Sequence, residues 1–163
     1  ETADKVLTKD KKGRYISERN LGQRQLSNDN ILRPPLCAFS QYDYMRGSDD
    51  AETPFRYEQF HRHFLFVTEG SVTVHLATPD TSQTINITND KSLSEIRTTD
   101  TFKTEQVRLS KGDILYIPAY WWYRIKYTSA ARLYAFKYHT YTSVLSIAPT
   151  LLSDFSDNNM HII

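Results

Sequence analysis

The sequence predicts an all-β protein, folded as one small barrel or sandwich with an N-terminal extension. Eleven Tyr, eight Phe and two Trp against only five Gly favour pleated, half-buried strands. Short alternating stretches follow one another between turn residues, and no strong helical period or internal repeat interrupts them. Many short strands with regular turn signals are typical of a barrel or a sandwich.

Composition narrows the class of protein further. The 163 residues are enough for one domain with its own core. Twenty basic and nineteen acidic residues give a net charge of +1, which predicts no nucleic-acid partner, and no apolar run has the length of a membrane span. The single cysteine, Cys37, excludes an internal disulfide framework and a multi-cysteine metal cluster, and we interpret it as a buried thiol.

The chain divides into a polar arm at residues 1–30 and a barrel domain at residues 31–163. Turn-like breaks at 9–13 and 27–30 interrupt the arm, which we expect either to be mobile or to add a strand to the barrel. The first residue is Glu1 rather than Met. This start is typical of a portion of a longer protein, from which a signal peptide or membrane anchor could have been removed.

The barrel domain contains a series of predicted strands separated by turns. The paired prolines of residues 31–36 fit neither a helix nor a central strand, so this segment is predicted to be extended. The predicted core begins near Phe55, and its strands lie at 64–67, 71–76, 106–109, 114–117, 123–127, 132–138 and 140–147.

Two segments interrupt or follow this series. A polar stretch from 79 to 103, in which only 84–88 alternates clearly, predicts a long hairpin or a surface insertion. Residues 150–155 predict a short helical turn at the C-terminus.

Two blocks of this sequence resemble a known family. The block Phe64-Leu-Phe-Val-Thr-Glu-Gly-Ser-Val-Thr-Val74 is similar to the first conserved strand pair of cupins. The block from Gly112-Asp to Trp122 resembles the second block of Jumonji C-like oxygenases. Together they cover about residues 55–138. The resemblance implies a double-stranded β-helix, the barrel of cupins and jelly rolls.

The same resemblance implies where a metal would be held. Such oxygenases hold Fe(II) through His-x-Asp or His-x-Glu and a later histidine, and leave open positions for 2-oxoglutarate and oxygen. The family pattern puts these ligands at Tyr57, Gln59 and Tyr123, with His63 at the place of a cupin glutamate. Val72 stands where many relatives carry a lysine for 2-oxoglutarate. All of these positions depart from the pattern, which predicts a degenerate metal site and no cofactor.

His61 and His63 form the one local pattern that could still hold a metal. Alternate residues of a strand share a face, so both imidazoles could approach one ion. The third ligand would then be Glu58, Tyr123 or His139. The competing interpretation is a strand entry with one packed and one exposed histidine, and we favour it because His-x-His has little specificity.

A polar interior without metal is the alternative use of the degenerate positions. Tyr57, Gln59, Tyr123 and Lys137 could satisfy one another through hydrogen bonds and so avoid unpaired buried polar groups.

The same interior could form a pocket for a sugar or another small polar ligand. The candidate lining residues of this pocket are His63, Trp121, Trp122 and Lys137. For the two tryptophans, packing of the barrel wall is the favoured interpretation over ligand stacking.

The sequence therefore predicts a pseudoenzyme: a cupin-like barrel that has lost iron and 2-oxoglutarate and serves as a structural or protein-binding module. Its expected partners are other proteins or a second copy of the chain. The alternatives are a hydroxylase with Fe(II) at His61 and His63, and a metal-free binder of sugars. The Asn- and Tyr-rich composition resembles degenerate domains of large DNA viruses, which favours a cytoplasmic or virion-associated location.

Overall fold

The computed structural model describes residues 5–9, 13–22, 29–80, 95–98 and 103–145, and this part of the chain is mainly β-structure. Its strands are β1 (Lys5–Lys9), β2 (Tyr15–Gly22), β3 (Cys37–Gly47), β4 (Phe55–Glu58), β5 (Arg62–Glu69), β6 (Ser71–Ala77), β7 (Glu95–Thr98), β8 (Glu105–Ser110), β9 (Ile114–Pro118), β10 (Trp122–Tyr127) and β11 (Ala131–Thr140).

The strands form two antiparallel sheets that face each other. Sheet A has the order β1-β2-β3-β11-β5-β9, and sheet B has the order β7-β4-β10-β6-β8. Inward-facing apolar residues of both sheets form one core, which includes Met45, Leu65, Val74, Ile125 and Leu133. The predicted all-β double-stranded β-helix is thus confirmed.

The N-terminal arm adds two strands to sheet A. β2 pairs with β3, so that Glu18 lies opposite Met45 and points to the same side of the sheet. β1 pairs with β2 and forms one edge of sheet A. Of the two expectations for the arm, the added strand is the one that the structure shows.

A short 3-10 helix (Asp29–Ile31) precedes β3 and lies against the outer face of sheet A. The Asp29 carboxylate is buried, and its Oδ2 accepts hydrogen bonds from Arg33, from the Tyr42 hydroxyl and, at 3.3 Å, from the Tyr138 hydroxyl. Burial alone would raise the pKa of Asp29, but the hydrogen bonds from Tyr42 and Arg33 outweigh it and lower that pKa. A single carboxylate therefore fixes this segment to two strands.

The predicted last strand at 140–147 is wrong for residues 141–145, and residues 146–147 lie outside the described part of the chain. β11 ends at Thr140, and residues 141–145 form a helical turn. Thr140 N–H donates to Ser143 Oγ at 2.9 Å, and Ser143 N–H donates to Thr140 Oγ1 at 3.2 Å. This reciprocal pair resembles a capping box, which starts a helix at the point where the alternating pattern appeared to continue.

The predicted insertion at 79–103 contains β7, which pairs with β4 at the edge of sheet B. Residues 81–94 and 99–102 and the predicted turn at 150–155 lie outside the described residues. Within the described ranges, no helix has the length and apolar character that crossing a membrane requires.

Candidate functional site

The pairing of β4 with β10 decides which residues of β4 face the barrel interior. Tyr123 of β10 lies opposite Arg56 of β4. Because alternate residues of a strand share a face, Arg56 and Glu58 point to the side of Tyr123, and Tyr57 points away from it. Arg56, Glu58 and Tyr123 are all buried, with 2%, 4% and 1% of their surface exposed.

Glu58 is the centre of a buried ionic network. Its Oε1 accepts a hydrogen bond from the Tyr123 hydroxyl at 2.6 Å. Its Oε2 lies 2.8 Å from Nζ of Lys137. The two groups form an ion pair, but their geometry is not that of a hydrogen bond. Lys137 Nζ also lies 2.6 Å from Oδ2 of Asp43 on β3. One ammonium therefore stands between two carboxylates from different sheets.

The network keeps Lys137 charged. Burial alone would lower the pKa of its ammonium, but the carboxylates of Glu58 and Asp43 outweigh burial and raise that pKa above the ordinary lysine value. Gln41 supports the arrangement, because its Nε2 lies 3.2 Å from both carboxylate oxygens of Asp43. Phe60 lies over the ammonium, with Nζ 5.7 Å from its ring centroid.

A second buried ion pair lies beside the first. Arg56 Nη2 is 2.5 Å from Oε1 of Glu18, and Arg56 Nη1 donates to Oε2 of Glu18 at 2.9 Å. The guanidinium also lies over the ring of Tyr123, 5.1 Å from its centroid. Because Glu18 belongs to β2, the N-terminal arm supplies a charge to the barrel interior.

Tyr127 borders this second pair. Its buried hydroxyl has no hydrogen-bond partner within the described part of the chain. Burial, and secondarily the negative charge of Glu18, raises the pKa of Tyr127. The group therefore stays a neutral phenol.

The two candidate histidine ligands lie in different surroundings. His63 is buried in β5, opposite Lys137, with its ring centroid 5.2 Å from that of Tyr123. His61 is exposed and precedes the first residue of β5. It lies near His139, whose pKa is lowered by burial and by the charge of His61. His139 itself stacks on Phe60, with ring centroids 4.5 Å apart.

Of the residues that the sequence singled out, the structure brings Tyr123, His63 and Lys137 together. It does not bring Tyr57 to them. The Tyr57 ring packs edge-on against Trp122 at a centroid distance of 4.7 Å, on the other side of sheet B. Gln59 is half-buried and follows the end of β4.

The tryptophans serve the barrel wall. Trp122 is fully buried in a cluster with Phe55 and Ala77, and Trp121 packs against the main core. His75 lies in β6 near Thr104, with Nδ1 3.3 Å from its hydroxyl oxygen. Both tryptophans thus pack against core residues of the barrel.

Sequence reasoning missed three of the network's residues: Arg56, Asp43 and Glu18. The family pattern puts Tyr57 and Gln59 at inward positions, whereas the structure turns Arg56 and Glu58 inward. The difference is one residue, and a one-residue shift exchanges the two faces of a strand. A signal was present at Lys137, because Leu133, Ala135 and Lys137 alternate toward the core and a buried lysine requires carboxylate partners.

These residues do not fit an iron site. A facial triad needs two imidazoles and one carboxylate with open positions between them. Here a guanidinium, a phenol and a carboxylate face one another, and that carboxylate is already paired with an ammonium. Among the described residues, no group of three or more His, Cys, Asp or Glu side chains could hold a metal ion.

The sequence of the chain identifies the family to which it belongs. The family model of the cupin-like domain matches residues 19–143. This match covers more than half of the chain, and the chain therefore belongs to the cupin-like domain family. No curated protein matches its sequence.

Several solved structures are similar to this chain. Hydroquinone 1,2-dioxygenase from Sphingomonas sp. TTNP3, with 4-hydroxybenzoate bound, is 15% identical, with 62% of this chain and 60% of that chain covered and a TM-score of 0.49. KdgF from Halomonas sp. is 12% identical, with coverages of 76% and 79% and a TM-score of 0.45. A cupin superfamily protein from Desulfitobacterium hafniense DCB-2 is 12% identical, with coverages of 74% and 76% and a TM-score of 0.43. This chain spans less than two thirds of the dioxygenase chain.

Proposed function

We propose that this cupin-like domain is a non-catalytic barrel that has lost its iron and 2-oxoglutarate site and acts as a structural or protein-binding module. The observation that carries the proposal is the position of Lys137, whose ammonium lies 2.8 Å from Glu58 and 2.6 Å from Asp43. A cation belonging to the protein itself lies between these two carboxylates, beside Tyr123, one of the positions that the family pattern gives to a metal ligand.

The surrounding residues support this proposal. Tyr123 donates its hydroxyl hydrogen to Glu58, so this carboxylate has a partner at each oxygen. Arg56 is held by Glu18 and would repel a divalent cation at close range. Val72, at the position where relatives carry a lysine for 2-oxoglutarate, is fully buried in the apolar core.

Metal content is the experiment that tests the proposal. Protein purified without chelator, and protein reloaded anaerobically with Fe(II), should both contain far less than one metal ion per chain by mass spectrometry. Stoichiometric iron that is lost on His61→Ala or His63→Ala substitution would overturn the proposal in favour of a hydroxylase.

A matched pair of redesigned variants sharpens this test. The set Arg56→His, Tyr123→His, Lys137→Met and Glu18→Gln retains Glu58 and removes the competing charges, and it should gain affinity for a divalent metal. The control set Tyr57→His, Gln59→Asp and Tyr123→His places residue 57 on the face of sheet B opposite to residue 123, and it should gain none. Circular dichroism verifies folding of both, and metal binding by the control set alone would contradict the interior described above.

A further inference from the structure

The edge strands of the two sheets differ in charge. In the described residues, sheet A has the edges β1 and β9, and sheet B has the edges β7 and β8. Three of these strands carry charged residues: Lys5 and Lys9 in β1, Glu95 and Arg97 in β7, and Glu105 and Arg108 in β8. Strand β9, with the sequence ILYIP, has none. Charges on edge strands normally prevent edge-to-edge association, so β9 lacks a protection that the other edges have.

Two large apolar side chains of β9 are also exposed to solvent. Ile114 is 50% exposed and Tyr116 is 47% exposed on the outer face of sheet A. The Tyr116 ring lies 5.3 Å from that of Phe64 on the neighbouring strand. Phe64 in turn lies opposite Phe136, which lies opposite Tyr42. A row of aromatic residues thus crosses four strands and ends at the open edge.

The backbone of β9 can accept another strand. Val67 N–H donates to the carbonyl of Asp113 at 3.1 Å, so the carbonyl of Asp113 points toward β5. In an antiparallel ladder this direction alternates, and Ile114 and Tyr116 therefore direct their N–H and C=O groups away from β5. No other strand of the described residues pairs with β9 on that side.

We propose that β9 is a homodimer interface, at which a second copy of the chain pairs antiparallel across a two-fold axis at Tyr116. Tyr116 then faces Tyr116 of the other copy, and the two exchange backbone hydrogen bonds. Ile114 faces Pro118 of the other copy, where the proline carbonyl accepts the Ile114 N–H and the absent proline N–H falls at the end of the ladder. Sheet A continues from one copy into the next.

A second copy fits this edge better than a charged partner does. A two-fold axis brings identical residues together, so a self-pairing strand must not carry like charges at its centre. Strand β9 meets this condition, and it offers no counter-charge to an acidic or basic segment. The apolar surface that it buries is small beside the ~1,200–2,000 Å² of a stable interface, so the dimer forms only at high protein concentration.

Sedimentation equilibrium over a wide concentration range tests the proposal. Wild-type protein should shift from the mass of one chain toward that of two chains as concentration rises. Tyr116→Lys should stay monomeric, because it places like charges at the axis. Ile114→Lys should also stay monomeric, because it replaces the apolar contact with Pro118 of the other copy by a charged side chain. Gln106→Lys, on the charged edge β8, is the matched control and should dimerise like wild type.

Disulfide trapping tests the register in a Cys37→Ser background. Oxidised Tyr116→Cys protein should run as a covalent dimer, since paired residues of neighbouring strands lie within disulfide reach. Gln106→Cys should remain a monomer. A monomeric wild type at every concentration, a dimer that survives Tyr116→Lys, or equal trapping at residue 106 would each overturn the proposal.

This inference deepens the proposed module function, on which it rests, by naming the partner as a second copy. Its failure is distinct from failure of that function, because a monomer would leave the metal content unchanged and bound iron would leave the dimer mass unchanged.

Discussion

Lys137 shows how strongly one residue can be tied to a fold. A buried lysine would ordinarily be neutral or unstable, yet here two carboxylates compensate its burial. The attraction between Lys137 and the two carboxylates does not have to exceed the cost of desolvating all three groups. Removal of one of the three is nevertheless strongly destabilising, because it leaves a buried charge without its partner. Such a network specifies which side chains share the interior more than it adds stability.

Lys137→Met should destabilise the protein by about 3–5 kcal/mol, because Glu58 and Asp43 would remain buried without a cation. Urea unfolding measures the loss. Lys126→Met is the matched control on β10, since that lysine is 44% exposed and lies 3.7 Å from Asp50, and it should cost about 1 kcal/mol or less. The triple variant Lys137→Met, Glu58→Gln, Asp43→Asn should lose less than Lys137→Met alone. An equal or larger loss would contradict the role given to the unpaired charges.

Asp29 should make stability depend on pH in acid. Its folded pKa lies below the ordinary 3.8, so its contribution is present above that pH and is lost as the pH falls through the folded value. Asp29→Asn should therefore be less stable than wild type near neutrality, with a difference that shrinks in strong acid. Urea unfolding of both proteins at a series of pH values measures this trend. A difference that stays constant or grows in acid would show that the carboxylate charge is not responsible.

At the scale of single elements, two glycine turns can be compared. Both need a left-handed backbone, but only one of them is in close contact with a neighbouring turn. Gly70, between β5 and β6, has φ +73°, and Gly112, between β8 and β9, has φ +97°. A Cβ at Gly70 would lie 2.3 Å from the carbonyl oxygen of Ala130, whereas a Cβ at Gly112 would meet nothing within 4 Å. The β5–β6 turn is thus pressed against the β10–β11 turn.

Gly112→Ala should cost only the left-handed backbone penalty of about 1–2 kcal/mol. Gly70→Ala should cost clearly more, because the backbone of residues 130–131 must also move. Thermal unfolding of the two variants provides the comparison. Similar losses for both would mean that the contact at Gly70 relaxes without strain.

For the whole molecule, the most important contact is the ion pair that joins the N-terminal arm to the barrel interior. Glu18 of sheet A pairs with Arg56 of sheet B, so the arm is part of the barrel's electrostatics as well as of its hydrogen bonding. The cupin-like match begins at residue 19, one position later. Removal of the arm would therefore remove a counter-ion that the remaining domain needs.

Glu18→Gln should lower stability by about 3 kcal/mol, because the carboxylate that neutralises buried Arg56 is lost. Arg19→Gln, at the next residue and exposed on the opposite face of β2, should change stability by about 0.5 kcal/mol or less. Urea unfolding distinguishes the two variants. Equal effects would show that β2 contributes only its strand pairing.

The fold was accessible from sequence because alternation and turn residues are local signals. The strands around residues 64–76 and 106–138 and the Gly70 turn follow from them directly. The interior was less accessible, since the face that Glu58 shares with Tyr123 is decided by pairing between distant strands. His61 and His63 look equivalent by spacing, but β5 begins only at Arg62, so their surroundings differ. The end of β11 was missed because Thr140 and Ser143 cap a helical turn within an otherwise alternating stretch.

The position of β11 has a consequence for how the molecule forms. It is the last strand along the described chain, yet it occupies the middle of sheet A, between β3 and β5. Until it is synthesised, β3 and β5 have no strand between them, and the carboxylates of Glu58 and Asp43 have no ammonium. Folding of this barrel therefore waits until β11 has been synthesised and closes long loops in its main step, which is typical of slow-folding β-proteins. A ribosome-bound chain that stops short of β11 should consequently remain sensitive to protease, however many of the earlier strands have emerged.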